Sequence, residues 1–404
     1  SDLQYRLPCV DRNAERNLYW GDLHVHTAYS FDAYVNEVRA LPPEGYAFAQ
    51  GEPLEIPGSG TSAQLDRPLD FAAVTDHAEY LAETSSCNDP ASPAYGTLTC
   101  VQLRNPTTGT FLYGSQLQSR APSRFSDVCD AIDCEEVTSN VWERVQDAAE
   151  AAYDRSETCS FTTFVAYEYT SARDVSNLHR NVVFRNANVP PTPVSHFDEP
   201  DPWGFWRRMR DTCDVTSGCE VVVIPHNSNM SDGRMFIPEY PTDDVAEQAE
   251  LAAFRAEMEP LVEIFQHKSA SECVRSLASA GVGEDELCDF ENIKQGRFND
   301  CGDGVGSGGM AGLGCLSRYS FVRYVLEAGL LEEARLGVNP FRLGIISSTD
   351  THNATSGFVD EDNYLGHVGV DEGTPETRLA APGLLPGGIT TNPGGLAGVI
   401  PPGS

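Results

Sequence analysis

Apolar residues in this chain gather into short runs, and run after run stops at a polar residue with chemistry to offer. Residues 18–27 read as a first strand in which Leu23 and Val25 alternate with His24 and His26. Alternate side chains of a strand share a face, so both imidazoles point one way and Leu23 and Val25 pack behind them. Residues 69–74 are apolar and stop at Thr75-Asp76-His77. Residues 161–167 are β-branched and aromatic and end at Glu168. A strand over 181–186 follows His179, and 221–224 ends at Pro225-His226-Asn227. Residues 261–265 end at Gln266-His267-Lys268, and 341–346 lead into Ser348-Thr349-Asp350-Thr351-His352. Short, continuous apolar runs of this kind are buried strands with their polar residues at the C-terminal end.

Between them the rhythm changes. Val137, Val141, Val145 and Ala149 recur every four residues, which predicts an amphipathic helix to about residue 153. Residues 203–210, 243–259 (with Thr242 as its cap) and 319–336 also read as helices. Strands alternating with helices predict a parallel α/β fold, and in α/β barrels the site lies where the strands end. Two Cys-rich stretches, 83–133 and 270–318, are too long for plain connections and read as disulfide-pinned insertions into one domain spanning 1–404. From 381 the tail is rich in Pro and Gly, with little to fold. No internal repeat is present.

Charge narrows the choice of partner. With 27 basic and 60 acidic residues the net charge is −33, and the only lysines are Lys268 and Lys294. Such a surface repels nucleic acid and anionic membranes, so any anion must be met by a locally cationic site. No apolar run is long enough to span a bilayer. Twelve cysteines without Cys-x-x-Cys spacing read as disulfides, with neighbours Cys87 and Cys100, Cys129 and Cys134, Cys213 and Cys219, Cys273 and Cys288, Cys301 and Cys315, leaving Cys9 and Cys159. The expectation is an exported protein, periplasmic or extracellular, with Ser1 a processed start.

His24, His26, His77, His179, His226 and His352 with Asp32, Glu168 and Asp350 supply six nitrogen and three carboxylate donors. One tetrahedral ion takes about four ligands, so nine donors suit two or three ions sharing a carboxylate. Mixed nitrogen and oxygen donors without thiolate fit Zn, Mn or Fe.

These phrases, in this order, resemble the PHP (polymerase and histidinol phosphatase) superfamily: His24-x-His26, Thr75-Asp76-His77, Glu168 with His179, Pro225-His226 and Asp350-x-His352. More narrowly, Tyr167-Glu168-Tyr169-Thr170-Ser171, Asn177-Leu178-His179-Arg180-Asn181 and His226-Asn227-Ser228-Asn229 are similar to an uncharacterised, often exported branch, domain-of-unknown-function family 3604. The resemblance runs from about Tyr19 to Val399. It implies a distorted (β/α)7 barrel, related to the TIM barrel, with a trinuclear site. His24, His26, Glu168 and Asp350 would hold the first ion. Glu168 would bridge to a second held by His179 and His226, and Asp32, His77 and His352 would hold the third. Some relatives have His where Asp32 stands. That branch ordinarily continues beyond the Gly394–Val399 phrase, which here is followed only by Ile400-Pro401-Pro402-Gly403-Ser404.

The chemistry expected of such a cluster is hydrolysis by a metal-bridging hydroxide. A phosphoesterase acting on a small anionic substrate is the leading expectation, with Glu168 and Asp350 as catalytic carboxylates and Arg180, Asn227 and Lys268 as substrate contacts. Asp76 and Glu79 would orient their neighbours. His196, His267 and His367 read as solvated or structural imidazoles. Two alternatives stand beside it: attack on an amide, lactone or sulfate ester by the same cluster, and a non-catalytic, metal-stabilised extracellular or filamentous binding protein.

Overall fold

Short β-branched and apolar segments form the strands that position the site, and they are shorter than the apolar runs that announce them. The computed structural model describes residues 9–10, 17–106, 121–275, 277, 286–289, 292–293, 298–311, 313–379 and 392–400. The strands used below are β1 (Tyr19–Asp22), β2 (Phe71–Ala72), β3 (Thr162–Thr163), β4 (Ala166–Tyr169) and β5 (Arg180–Phe184). They continue as β6 (Val221–Pro225), β7 (Leu261–Gln266), β8 (Gly344–Ser347) and β9 (Ala397–Val399). The main helices are α1 (Pro42–Ala49), α2 (Cys134–Ala152), α3 (Pro202–Thr212), α4 (Val245–Met258) and α5 (Val322–Leu336).

One sheet runs β9-β1-β2-β3, parallel from β1 to β3 and antiparallel between β1 and β9. A second runs β4-β5-β6 and is antiparallel throughout, which departs from the all-parallel expectation. The reason lies in the connection: residues 170–179 are fewer than the dozen or so a parallel crossover needs, so β5 must fold back. In the third, β7 and β8 pair in parallel. None of these sheets closes on itself into a barrel among the described residues. Their C-terminal ends are nevertheless joined by isolated parallel bridges, Val25 to Thr351 and His77 to Glu168. Backbone hydrogen bonds reinforce these joints: His26 N–H to Thr351 O (2.7 Å), Thr75 N–H to Val25 O (2.8 Å) and His267 N–H to Thr349 O (3.0 Å).

Helix α2 lays Val141, Trp142, Val145 and Ala149 into the largest core cluster, with Val25, Val74, Tyr167, Phe184, Phe205 and Trp206. Leu23, Phe71, Ala73, Ala166, Val183 and Ile224 form a separate cluster between the sheets. Leu23 and Val25 therefore do not pack together as the alternation predicts. The strand bends after Asp22, whose Oδ1 accepts the His24 N–H at 3.2 Å. Helix α4 is capped by Asp244, which accepts from Glu247 N–H at 3.0 Å, and not by Thr242, whose hydroxyl donates to Glu247 instead.

Six disulfides join Cys9–Cys159, Cys87–Cys100, Cys129–Cys134, Cys213–Cys219, Cys273–Cys288 and Cys301–Cys315. Such usage fits an oxidising compartment. The first insertion is partly helical, over Leu81–Asn88 and Leu98–Arg104. Residues 107–120 of it, and 278–285 and 294–297 of the second, lie outside the described residues. So do 380–391 and 401–404 of the tail, but Ala397–Val399 form a strand where little structure was expected. No described helix is long and apolar enough to cross a membrane.

Candidate metal centre

All nine nominated donors come together, seven of them in or just after strands, Asp32 from the short helix Phe31–Val35 and His179 from just before β5, and most of them are buried. His24, His26, Glu168 and Asp350 are 0% exposed. His24 Nε2 lies 3.1 Å from His26 Nε2, 3.1 Å from Glu168 Oε2 and 3.1 Å from Asp350 Oδ1. His26 Nε2 lies 3.3 Å from the same Glu168 oxygen and 3.1 Å from the same Asp350 oxygen. Five edges this even are those of a tetrahedron whose centre would lie ~1.9 Å from each corner, close to a zinc–nitrogen or zinc–oxygen bond length.

Hydrogen bonding on the far side of each ring decides which nitrogen is free. Ser30 spends its one hydroxyl proton on Asp76 Oδ1 at 2.7 Å, so its Oγ accepts from His26 Nδ1–H at 2.8 Å. Glu263, acceptor only when ionised, faces His24 Nδ1 at 3.0 and 3.1 Å. Both Nε2 atoms of the neutral rings therefore carry lone pairs, and they face each other and two carboxylate oxygens. Four acceptors with no donor among them call for a cation.

The same logic applies beside it. His77 Nδ1 donates to Thr170 Oγ1 at 2.5 Å, because that hydroxyl gives its proton to Glu168 Oε1 at 3.1 Å. His352 Nδ1 donates to the Asp350 carbonyl at 2.9 Å. Their free Nε2 atoms converge on Asp32 Oδ2, at 3.2 Å from His77 and 2.9 Å from His352. A third group gathers at the other oxygen of Glu168: Oε1 is 2.7 Å from His179 Nδ1 and 3.5 Å from His226 Nε2. Among the described residues, His179 Nε2 and His226 Nδ1 are buried without a hydrogen-bond partner. Donor groups within these clusters, among them His24–His26–Glu168, His26–His77–His352 and His77–Glu168–His179, could hold metal ions.

Protons take part of that role in the metal-free site. Burial opposes charge on His24 and His77, yet carboxylates raise both well above the ordinary imidazole value: Asp350 and Glu263 for His24, Glu168 and Asp32 for His77. Burial alone would push Glu168 up, but His77, His226 and His179 hold it well below the usual carboxylate range. His179, with burial dominant, falls to about 4.

The nominated substrate contacts divide. Lys268 reaches Asp350 Oδ2 through Nζ, and its side chain is 23% exposed. Asn227, in a left-handed backbone conformation (φ 52°), accepts from Gln266, which also donates to Asp350 Oδ2 at 2.5 Å. Arg180 is not brought to the cluster. Its Nε contacts Glu259 Oε1 at 2.5 Å and its Nη1 donates to Leu178 O at 2.6 Å, in a pocket against Trp206. Alternation along β5 explains this, since Arg180 must point opposite to its neighbours His179 and Asn181.

Asp76 accepts from Thr27 as well as Ser30, and Glu79 accepts from Thr170 N–H at 3.2 Å and His196 N–H at 2.5 Å. His267 is buried and its Nε2 stands 3.4 Å from Asp350 Oδ2, closer to the cluster than a structural imidazole need be. His367 donates to Pro393 O at 3.1 Å and His196 is fully buried. Glu263, outside the nine donors expected from the sequence, also joins the site, and its signal there is a lone acid within the apolar run 261–265.

The model of a family described as protein of unknown function (DUF3604) matches residues 13–402. No curated protein and no solved structure matches the chain.

Proposed function

The chain belongs to the DUF3604 family of proteins of unknown function, and from that premise we propose that it is a metal-dependent hydrolase of the PHP superfamily, most specifically a phosphoesterase. The observation that carries this reading is the convergence of four potential ligand atoms: His24 Nε2 and His26 Nε2 lie 3.1 Å apart, and each lies 3.1–3.3 Å from Glu168 Oε2 and Asp350 Oδ1. Glu168 extends the set by offering its second oxygen to His179 and His226. Asp32, His77 and His352 complete a three-site arrangement for Zn, Mn or Fe.

Bound there, divalent ions would lower the pKa of a water molecule toward neutrality and offset charge growing on the ester oxygens. This chain's own residues do the rest. Asp32 (39% exposed), Lys268 (23%) and His179 (12%) are the members whose side chains reach solvent, so a substrate meets the cluster at that edge. Lys268 places a positive charge at the same edge of a protein with net charge −33, which favours an anionic group there. Gln266, which also donates to Asn227 Oδ1, donates to Asp350 Oδ2 and leaves Oδ1 to His24 and His26.

The proposed fold is a distorted (β/α)7 barrel. Its support is the run of parallel contacts β8–β1–β2–β4 made through Thr351–Val25, Gly21–Phe71 and His77–Glu168. An exported location accords with the disulfides.

The test is turnover by protein reconstituted with zinc, manganese or iron, offered phosphate monoesters and diesters beside amides, lactones and sulfate esters. Metal-dependent release of phosphate supports the proposal. Metal uptake with turnover confined to the non-phosphate substrates replaces it with the other hydrolase, and uptake without any turnover leaves a binding protein.

A further inference from the structure

Glu263 lies in the interior of β7, flanked by Val262 and Ile264, where the pattern calls for an apolar residue. It is 1% exposed, and both of its oxygens face a single group, His24 Nδ1, at 3.1 and 3.0 Å. Among the described residues no lysine or arginine forms an ion pair with it. Its ion-pair partner is the buried His24 ring itself, and a buried pair of this kind is often no more stabilising than apolar residues of the same volume. A purely structural position would be served better by Leu or Met.

Two rings meet over this carboxylate. His24 and His226 have centroids 4.1 Å apart, and donor atoms of His24, His226 and Glu263 lie within 4.8 Å of one another. In the arrangement proposed above these two histidines serve different ions. The triple is not itself an ion site, because His24 gives its Nδ1 proton to Glu263 and keeps its one lone pair, on Nε2, for the tetrahedral group.

We propose that Glu263 is a positioning residue of the metal centre: it fixes His24 as the Nδ1–H tautomer, raises the basicity of Nε2, and places a buried negative charge beneath the cluster. It touches neither substrate nor ion. The proposal rests on the metal-centre reading, and its physical basis is general, since carboxylates behind ligating imidazoles set both orientation and donor strength.

Metal-stripped wild type, Glu263→Gln and Glu263→Leu are titrated with zinc against a chromophoric chelator. In parallel, ¹⁵N NMR of the imidazoles reads the His24 tautomer, and the melting temperature of each metal-free protein is taken. Wild type that takes up no zinc refutes the metal-centre reading itself. With wild type binding, Glu263→Leu is expected to bind about 10–100-fold more weakly and to lose the pure Nδ1–H signature. Glu263→Gln, whose amide oxygen still accepts from Nδ1–H, is expected to keep the tautomer and bind with intermediate affinity. The metal-free Glu263→Leu protein is expected to melt no lower than wild type. Wild-type affinity in folded Glu263→Leu overturns the proposal, as does a lowered melting temperature with affinity and tautomer unchanged. If Glu263→Leu does not fold, wild-type affinity in Glu263→Gln overturns it.

Discussion

Glu168 reaches His179 Nδ1 through Oε1 at 2.7 Å, while its other oxygen sits 3.1 Å from His24 Nε2. One carboxylate thus closes two ligand groups. Replacing it by Gln substitutes an NH2 for one oxygen, putting a donor where a lone pair is needed. Glu168→Gln is expected to lose at least one bound ion per chain and at least 100-fold in hydrolytic rate, with its circular dichroism unchanged. Metal analysis and an activity assay on the same preparation check this, and retention of full metal content would count against the bridge.

Arg180 and Lys268 are expected to separate cleanly. Arg180 shares a buried pocket with Glu259, whose other oxygen lies 3.5 Å from Arg255, so Arg180→Ala leaves a buried carboxylate with one guanidinium of two and should cost about 3 kcal/mol of stability. Lys268→Ala acts at the solvent edge of the cluster and should raise KM for an anionic substrate several-fold with a smaller loss of stability. Urea denaturation and steady-state kinetics on both variants decide; the reverse assignment would mean that Arg180 reaches substrate after all.

Metal affinity should rise with pH. His24 and His77, raised well above the ordinary imidazole value by Asp350, Glu263, Glu168 and Asp32, hold protons in the metal-free protein at neutral pH. An ion must displace these protons to bind, so uptake releases them and is opposed as pH falls. Calorimetric titration at pH 6, 7 and 8 in buffers of different ionisation enthalpy measures that release. An affinity independent of pH over this range would contradict the proton-filled site.

Glu372 supplies a pH effect away from the metals. Burial raises its carboxyl to about 7, against the His367 N–H, which it accepts at 2.7 Å. The folded protein therefore keeps a proton that the unfolded chain releases near 4.5. As pH climbs from about 4.5 to 7 the folded state binds more protons than the unfolded one, and stability falls by up to about 1.4 kcal/mol per pH unit. Below that window the penalty is absent. Glu372→Gln should remove the decline, so its denaturation midpoint gains on wild type as pH rises; parallel curves for the two proteins would rule this out.

How far the sequence spoke for this site can be judged residue by residue. His24, His77, Glu168, His226 and Asp350 each follow an apolar run, and those runs are the strands that deliver them. Strand pairing was less readable: the fold-back of β5 depends on the length of residues 170–179, a geometric limit that residue pattern does not express. Adjacency to His179 in sequence does not bring Arg180 to the site, because strand alternation turns it to the opposite face. The roles of Glu263 and His267 are not legible in the sequence, because a buried acid or imidazole declares its role only through what it faces, and the facing groups come from segments more than 80 residues away. Leu23 and Val25 part company because a side-chain bond from Asp22 bends the strand, a local effect that period alone does not carry.

A cluster of buried histidines and carboxylates organised for divalent ions should retain them. Elemental analysis of protein folded with its disulfides intact, exchanged into zinc or manganese and freed of loose metal, tests this most directly. Two to three ions per chain are expected, and the number should fall when either Glu168 or Asp350 is neutralised. A wild-type protein retaining less than one ion per chain would contradict the account.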